Sequence, residues 1–290
     1  MKYLLLTFDV EEFVRPIEKN LEYDEKELFE VSRNGLERII QILKSKDVKA
    51  TFFVTHDFSM RYKGLIKRII KERHEIGLHA YKHNDNYAGL DDEEVYKLLK
   101  RAKDGLEGEF KIRINGFRSP QLQFVSPDVL NKLGIKYDSS FHPTYVPGKY
   151  FHAFGKRGLF KEDGVIVVPI SVAAGLRLPF SWIWFRNFGL GYAKFCTRLA
   201  LMNSMYINIY FHPWDFADLS SYRKEIGGLY VRNSGENLAR DIERYIDFCK
   251  SKGLVGSTMI DFLKKEPFFE LFRKSLTKRE KETPGKENAN

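Results

Sequence analysis

YLLLTFDVEEF, residues 3–13, begins with an apolar run of strand length, YLLLTF, and meets acidic residues at once. One lysine precedes the run and no small-residue cleavage site follows, so it reads as a first strand and not as a signal peptide. Working outward, runs of the same kind recur at ATFFVT (50–55), EIGLHA (75–80), RINGFR (113–118), IKYDSS (135–140), GVIVVPI (164–170), MYINIYF (205–211) and LVGST (254–258). Amphipathic runs of helix length lie between them, and this alternation is the pattern of βα units on a parallel sheet. Acidic residues Asp91, Asp92, Glu93 and Glu94 suit the start of one helix, Ser126-Pro127-Asp128 opens another, and Asn233 or Ser234 is the expected cap of a third that Gly253 stops. With no internal repeat and no Pro/Gly/Ser-rich linker, one barrel-like α/β domain is expected, its reactive residues in the loops after the strands.

The totals agree with a globular chain: 290 residues, 43% of them hydrophobic, can bury a sizeable core. Cys196 and Cys249 stand in apolar surroundings without CxxC spacing, which predicts two buried thiols. The formal charge of +9 is uneven, because residues 272–290 hold six Lys/Arg against three Glu. The remainder lacks an array of arginine and aromatic side chains of the kind that reads nucleic acid, so no nucleic-acid partner is expected. The segment SLTKREKETPGKENAN at the C-terminal end has almost no apolar content and is expected to be disordered.

Chemistry-bearing residues fall at the strand ends. Asp9 and Glu11 are two apart after the first strand and face one space if the strand continues through them; alone, such a pair is as readily a turn or cap. His79 and His83, in HEIGLHAYKH, are four apart and can converge on a metal across a turn, although a pair at this spacing alone is a weak signal. His74, upstream of that strand, reads as structural. Arg118 follows the fourth strand, Asp138 lies near the end of the fifth and His212 ends the seventh in NIYFHPWDF. Joint placement on one rim lifts these readings, since two histidines and a carboxylate make a workable ligand set with open positions.

The ordered set TFDxE, ATFFV, HEIGxHxxxH, GFRSP, YDSS and FHPWD resembles the NodB-type polysaccharide deacetylases, carbohydrate esterase family 4, across residues 3–262. The resemblance implies a distorted (β/α)7-type barrel in residues 1–265, followed by a basic C-terminal extension, 266–290. It further implies removal of acetyl groups from an N-acetylated saccharide by a metal-bound water. Carried over, Asp9 resembles the catalytic base, Glu11, His79 and His83 the ligands of a divalent ion, Arg118 the residue orienting the base, and His212 the acid, with Asp138 steadying it. Zn²⁺ is the expected metal, with Co²⁺, Mn²⁺ or Ni²⁺ as alternatives. Many members carry adjacent aspartates after the first strand; here Val10 stands at the second position and Glu11 takes the ligand role, a D-x-E arrangement similar to a branch that includes cyclic-imide and allantoin-type hydrolases.

The expected location is cytoplasmic and the saccharide is free, nucleotide-linked or lipid-linked. Residues 178–188, LPFSWIWFRNF, with Arg177 and Arg186 beside the tryptophans, suit either a membrane interface or a segment covering the barrel. The rivals are a cyclic amide or imide hydrolase on the same scaffold and a non-catalytic saccharide-binding protein. Oligomeric state is not readable.

Overall fold

The first strand, β1 (Lys2–Val10), sorts its side chains by parity. Leu4, Leu6, Phe8 and Val10 enter the large core shared with the helices, whereas Tyr3 and Leu5 enter a separate inner core. Thr7, Asp9 and Glu11 continue the inner set. The computed structural model describes residues 1–148 and 150–266; the remainder of the extension and its expected disordered tail lie outside the described residues. Ten further strands follow there: β2 (Thr51–Thr55), β3 (Glu75–Ala80), β4 (Gly116–Phe117), β5 (Tyr137–Asp138), β6 (Tyr145–Val146), β7 (Tyr150–Phe151), β8 (Phe160–Glu162), β9 (Val165–Val167), β10 (Tyr206–Phe211) and β11 (Leu254–Gly256).

Six of these together with β1 run parallel in the order β10, β1, β2, β3, β4, β5, β9. The circle is closed by the segment after β9: Ser171 N–H donates to Asn208 O at 2.8 Å, and Asn208 N–H donates to Ser171 Oγ at 2.8 Å. The Asn208 amide bridges further, donating to Val168 O and Pro169 O. This is a distorted (β/α)7-type barrel, with β11 alongside the first residues of β1 and β8 antiparallel on β9. All eight expected strands are present; the β6–β7 hairpin and β8, which lack long apolar runs, are additions.

The lower end of the barrel is plugged by the helix Met259–Lys265. Its first amides donate to Thr51 Oγ1 and Glu75 Oε2, and Tyr137 OH donates to Glu75 Oε1 at 2.8 Å. Burial pushes the Glu75 carboxyl up to about 6. The upper end is therefore the accessible one.

Helix Glu25–Ser45 positions part of that upper rim. A Cβ at Gly35 would lie 1.8 Å from Pro213 O, so only glycine lets this helix touch the turn that carries His212. Helix Asp92–Phe110 begins with the expected acidic cluster, as a reciprocal cap between Asp91 and Glu94. The helix Glu236–Ser251 corrects an expectation: its N-cap is Gly235, not Asn233 or Ser234. Ser234 Oγ is committed to Val231 O and the Asn233 amide to Asp241, while Gly235 takes φ 63° and donates its N–H to Asp215 O. Cys196 and Cys249 are free and buried, and His74 is structural, its Nδ1 accepting from Ala50 N–H.

Residues 178–188 open the helix Trp182–Ala200 and lie across the barrel mouth. Arg186 is buried against Asp215, and Arg177 donates to Gly155 O, so the flanking arginines are held by the protein itself. Of this stretch only Phe188 is exposed. No helix among the described residues is long and apolar enough to cross a membrane.

Candidate active site

Glu11 is the centre of the rim. It is 1% exposed, and its Oε2 is pinched between His79 Nε2 at 3.1 Å and His83 Nδ1 at 2.5 Å. Burial alone would raise its pKa, but the adjacent His83 and His79 hold it well below the usual carboxylate range. Conversely, burial would lower His83 while Glu11 pushes it up to about 10. One donor atom from each of the three residues lies within 4.8 Å of the others.

The donor set fits a metal. His79 Nδ1 lies 2.6 Å from the Arg118 carbonyl, which can only accept, so the proton sits on Nδ1 and Nε2 is the nitrogen turned to Glu11. His83 Nε2 points to Glu18 Oε1 at 3.7 Å, and Glu18 pairs with Arg15. Arg15 is in turn held under the rings of Tyr230 and Trp182, at 4.7 and 4.9 Å. A carboxylate behind a histidine ligand is the usual device for fixing its ring. Val10 could not join this set, because the odd–even alternation of β1 sends it into the outer core.

Asp9, 3% exposed, stands two residues before Glu11 on the same face. Arg118, fully buried, donates from Nη1 to Asp9 Oδ1 at 2.9 Å and to Thr7 Oγ1 at 2.7 Å, and from Nε and Nη2 to Ser139. Its guanidinium also lies 4.5 Å over the Phe53 ring. With so many fixed contacts, it determines where the Asp9 carboxylate points.

His212 approaches from the far side, with Nε2 3.9 Å from Glu11 Oε1. Its ring stacks on Trp214 at 4.5 Å, and Nδ1 faces Asp215 Oδ2 at 3.3 Å. Asp215 also accepts the His212 backbone N–H at 2.8 Å and the Trp182 indole N–H at 3.2 Å. Burial would raise Asp215, but Arg186 and His212 lower it.

The expected role of Asp138 is therefore corrected. On β5 it has the opposite parity to Tyr137, whose ring is in the inner core, and it bonds Ser140 beside a second cavity. The carboxylate behind His212 is Asp215. A further residue escaped the sequence reading: His142, buried, with Nδ1 2.8 Å from Tyr150 OH and, among the described residues, no partner for Nε2. Its signal was the repeat of Phe-His-Pro at 141–143 and 211–213. Asp9, Glu11, His79, His83, His142 and His212 all line one cavity of about 380 Å³, walled by Trp182, Trp184 and Tyr210.

The fold and rim define a barrel with a carboxylate–histidine cluster at the C-terminal ends of its strands. Residues 2–137, just under half of the chain, match the family model described as polysaccharide deacetylase, the likeness to which the motifs point. YheN of Bacillus subtilis, assigned as a polysaccharide deacetylase, is 34% identical over 83 residues, 29% of each chain. Matched stretches cover 24% to 40% of the curated relatives' own length. A Mycobacterium smegmatis structure with the same assignment superposes with a TM-score of 0.62 at 18% identity, covering 100% of this chain and 95% of the other. The Puue allantoinase gives 0.58 at 16% identity, covering 89% and 87%. Both likenesses bear on the fold.

Proposed function

We propose that the protein is a metal-dependent deacetylase that hydrolyses the N-acetyl amide of a saccharide. The observation that carries this reading is the placement of Asp9 and His212 on either side of the Glu11–His79–His83 cluster, in one cavity. A divalent ion held by those three residues supplies Lewis acidity toward the amide carbonyl and a water of lowered pKa. Asp9 accepts the proton of the attacking water, its carboxylate aimed by Arg118. His212 Nε2 hands a proton to the leaving nitrogen, while Asp215 fixes its ring. His142 Nε2 offers the substrate a neutral hydrogen-bond partner, since burial and the neighbouring Arg118 push it down to about 3.

Two imidazoles and one carboxylate suit Zn²⁺, with Co²⁺, Mn²⁺ and Ni²⁺ as the alternatives to test by loading. A cytoplasmic saccharide, free or carried on a nucleotide or lipid, is our assignment of substrate. The spacing Asp9-Val10-Glu11, in place of adjacent carboxylates, favours one second reading, a cyclic amide hydrolase. A purely binding protein has no use for Arg118 aiming Asp9 or Asp215 behind His212.

Acetate release from metal-loaded protein across N-acetylated sugars, beside ring opening of allantoin and cyclic imides, tests the reading. Acetate release alone is expected. Ring opening without acetate release would transfer the protein to the second reading, and neither activity would leave only the binding role.

A further inference from the structure

Exposed apolar side chains gather around the mouth of the catalytic cavity. They come from three segments far apart in the sequence: the β6–β7 hairpin with the loop after it, the helix Trp182–Ala200 and the short helix Gly228–Val231. Val146 and Pro147 of the first segment, Trp184 and Phe188 of the second and Leu229 of the third all line that cavity. On these same segments Tyr145, Phe151, Phe154, Phe188 and Leu229 are each more than half exposed.

Neighbouring groups hold these side chains in place. The Phe151 ring lies 5.4 Å from that of Tyr145 and 5.7 Å from that of Phe154, and Phe188 stacks on Trp184 at 6.0 Å. The Asn187 amide donates to Leu229 O at 3.0 Å, which ties the second segment to the third. A patch drawn from three segments around an opening offers no single groove to a partner. Ordered apolar surface of this kind is costly to leave in water and marks a contact surface.

Charge indicates which contact. Residues 139–214, which carry the first two segments, hold eight Lys/Arg against two Asp/Glu, and of the eight Arg186 is buried against Asp215. The third segment is bracketed by Arg223, Lys224 and Arg232, all exposed, and Glu225 is the one acid in residues 223–232. Lys156, two residues beyond Phe154, is exposed as well. Aromatic and aliphatic side chains set among cations suit the interface of an anionic bilayer, where rings lie at headgroup depth and Lys/Arg meet lipid phosphates. We propose that the protein docks the rim of its barrel mouth on an anionic lipid bilayer, with Tyr145, Phe151, Phe154, Phe188 and Leu229 entering the headgroup layer. Docked this way, the catalytic cavity opens onto the membrane surface.

Flotation of the full chain with vesicles tests the docking. One set is phosphatidylcholine alone and the other phosphatidylcholine with phosphatidylglycerol. The measurement needs neither metal nor turnover, so failure of the deacetylase reading and failure of the docking are read separately. The parent is expected to float with the anionic vesicles at least tenfold more strongly than with the neutral ones, and to be released as salt is raised. Phe151→Ser and Phe188→Ser are each expected to weaken that binding about tenfold, the loss of one buried ring. Val255→Ser, an exposed position on β11 at the lower end of the barrel, should bind as the parent does. All three side chains are at the surface, so their replacement leaves the fold intact. A parent that floats with neither vesicle overturns the proposal, as does equal binding to both. Equal binding by the parent and both rim variants would place the contact elsewhere, the basic extension included, and overturns it too. A parent that ignores vesicles but forms a dimer lost in Phe151→Ser would make a second copy the occupant and likewise overturns it.

Discussion

The chain contains Phe-His-Pro twice, at 141–143 and 211–213, and both histidines are buried in the wall of one cavity. What differs is the atom behind each ring. His212 Nδ1 faces the carboxylate of Asp215, itself held charged by Arg186, and Nε2 faces Glu11. His142 Nδ1 faces the phenol of Tyr150 and is pushed down to about 3, so it stays neutral. The same tripeptide thus gives one ring suited to moving a proton and one suited only to hydrogen bonding. The partner on the second nitrogen decides.

That contrast can be broken experimentally. His212→Ala is expected to lower kcat about 1000-fold with metal content unchanged, the cost of losing a general acid. Loss of metal along with activity would reassign His212 to the ligands. Asp215→Asn keeps the ring but removes the carboxylate behind it, and a fall of about 100-fold is expected; parental kcat in this variant would mean that the Asp215 contact is only structural. His142→Gln retains a neutral polar group in the cavity, and a change of about tenfold, carried by KM, is expected. A kcat loss as large as that of His212→Ala would erase the distinction.

The pH dependence of stability sharpens the same point. His142 has a folded pKa below its unfolded value of 6.5, so its contribution is fully present above pH 6.5 and is lost as pH falls toward about 3. The loss is on the order of 5 kcal/mol, and urea titrations of His142→Gln across this window should show a shallower acid slope than the parent. An identical slope would contradict burial of a neutral ring. Last, Gly35→Ala is expected to cost about 1–3 kcal/mol by urea unfolding, because its Cβ meets Pro213 O beside His212. A variant as stable as the parent would mean that this contact yields freely.

The barrel was largely legible, because each of its parallel strands is an apolar run bounded by helical patterns. The carboxylate–histidine cluster was legible from spacing plus position: strand parity put Asp9 and Glu11 on one face, and His79 and His83 lie one turn of four residues apart, while the pairing of Glu11 in particular with the histidines was only what the family resemblance implied. Asp138 and Asp215 were not, for a geometric reason. Both stand at the rim ends of strands, but β5 turns Tyr137 inward and Asp138 outward, a parity no local pattern announces in a two-residue strand. Asp215 reaches back because Pro213 starts a tight turn that sets the third residue beside His212, and that geometry depends on the helix crossing at Gly35. The hairpin Tyr145–Phe151 was missed because its short, partly exposed strands carry no hydrophobic alternation.

The division of labour between the two carboxylates of β1 is the central claim. It is tested by measuring bound metal and acetate release together in Asp9→Asn and Glu11→Gln. The account predicts that Asp9→Asn retains the parental metal content while turnover falls about 1000-fold, whereas Glu11→Gln loses both. Parental turnover in Asp9→Asn, or parental metal content in Glu11→Gln, would contradict it.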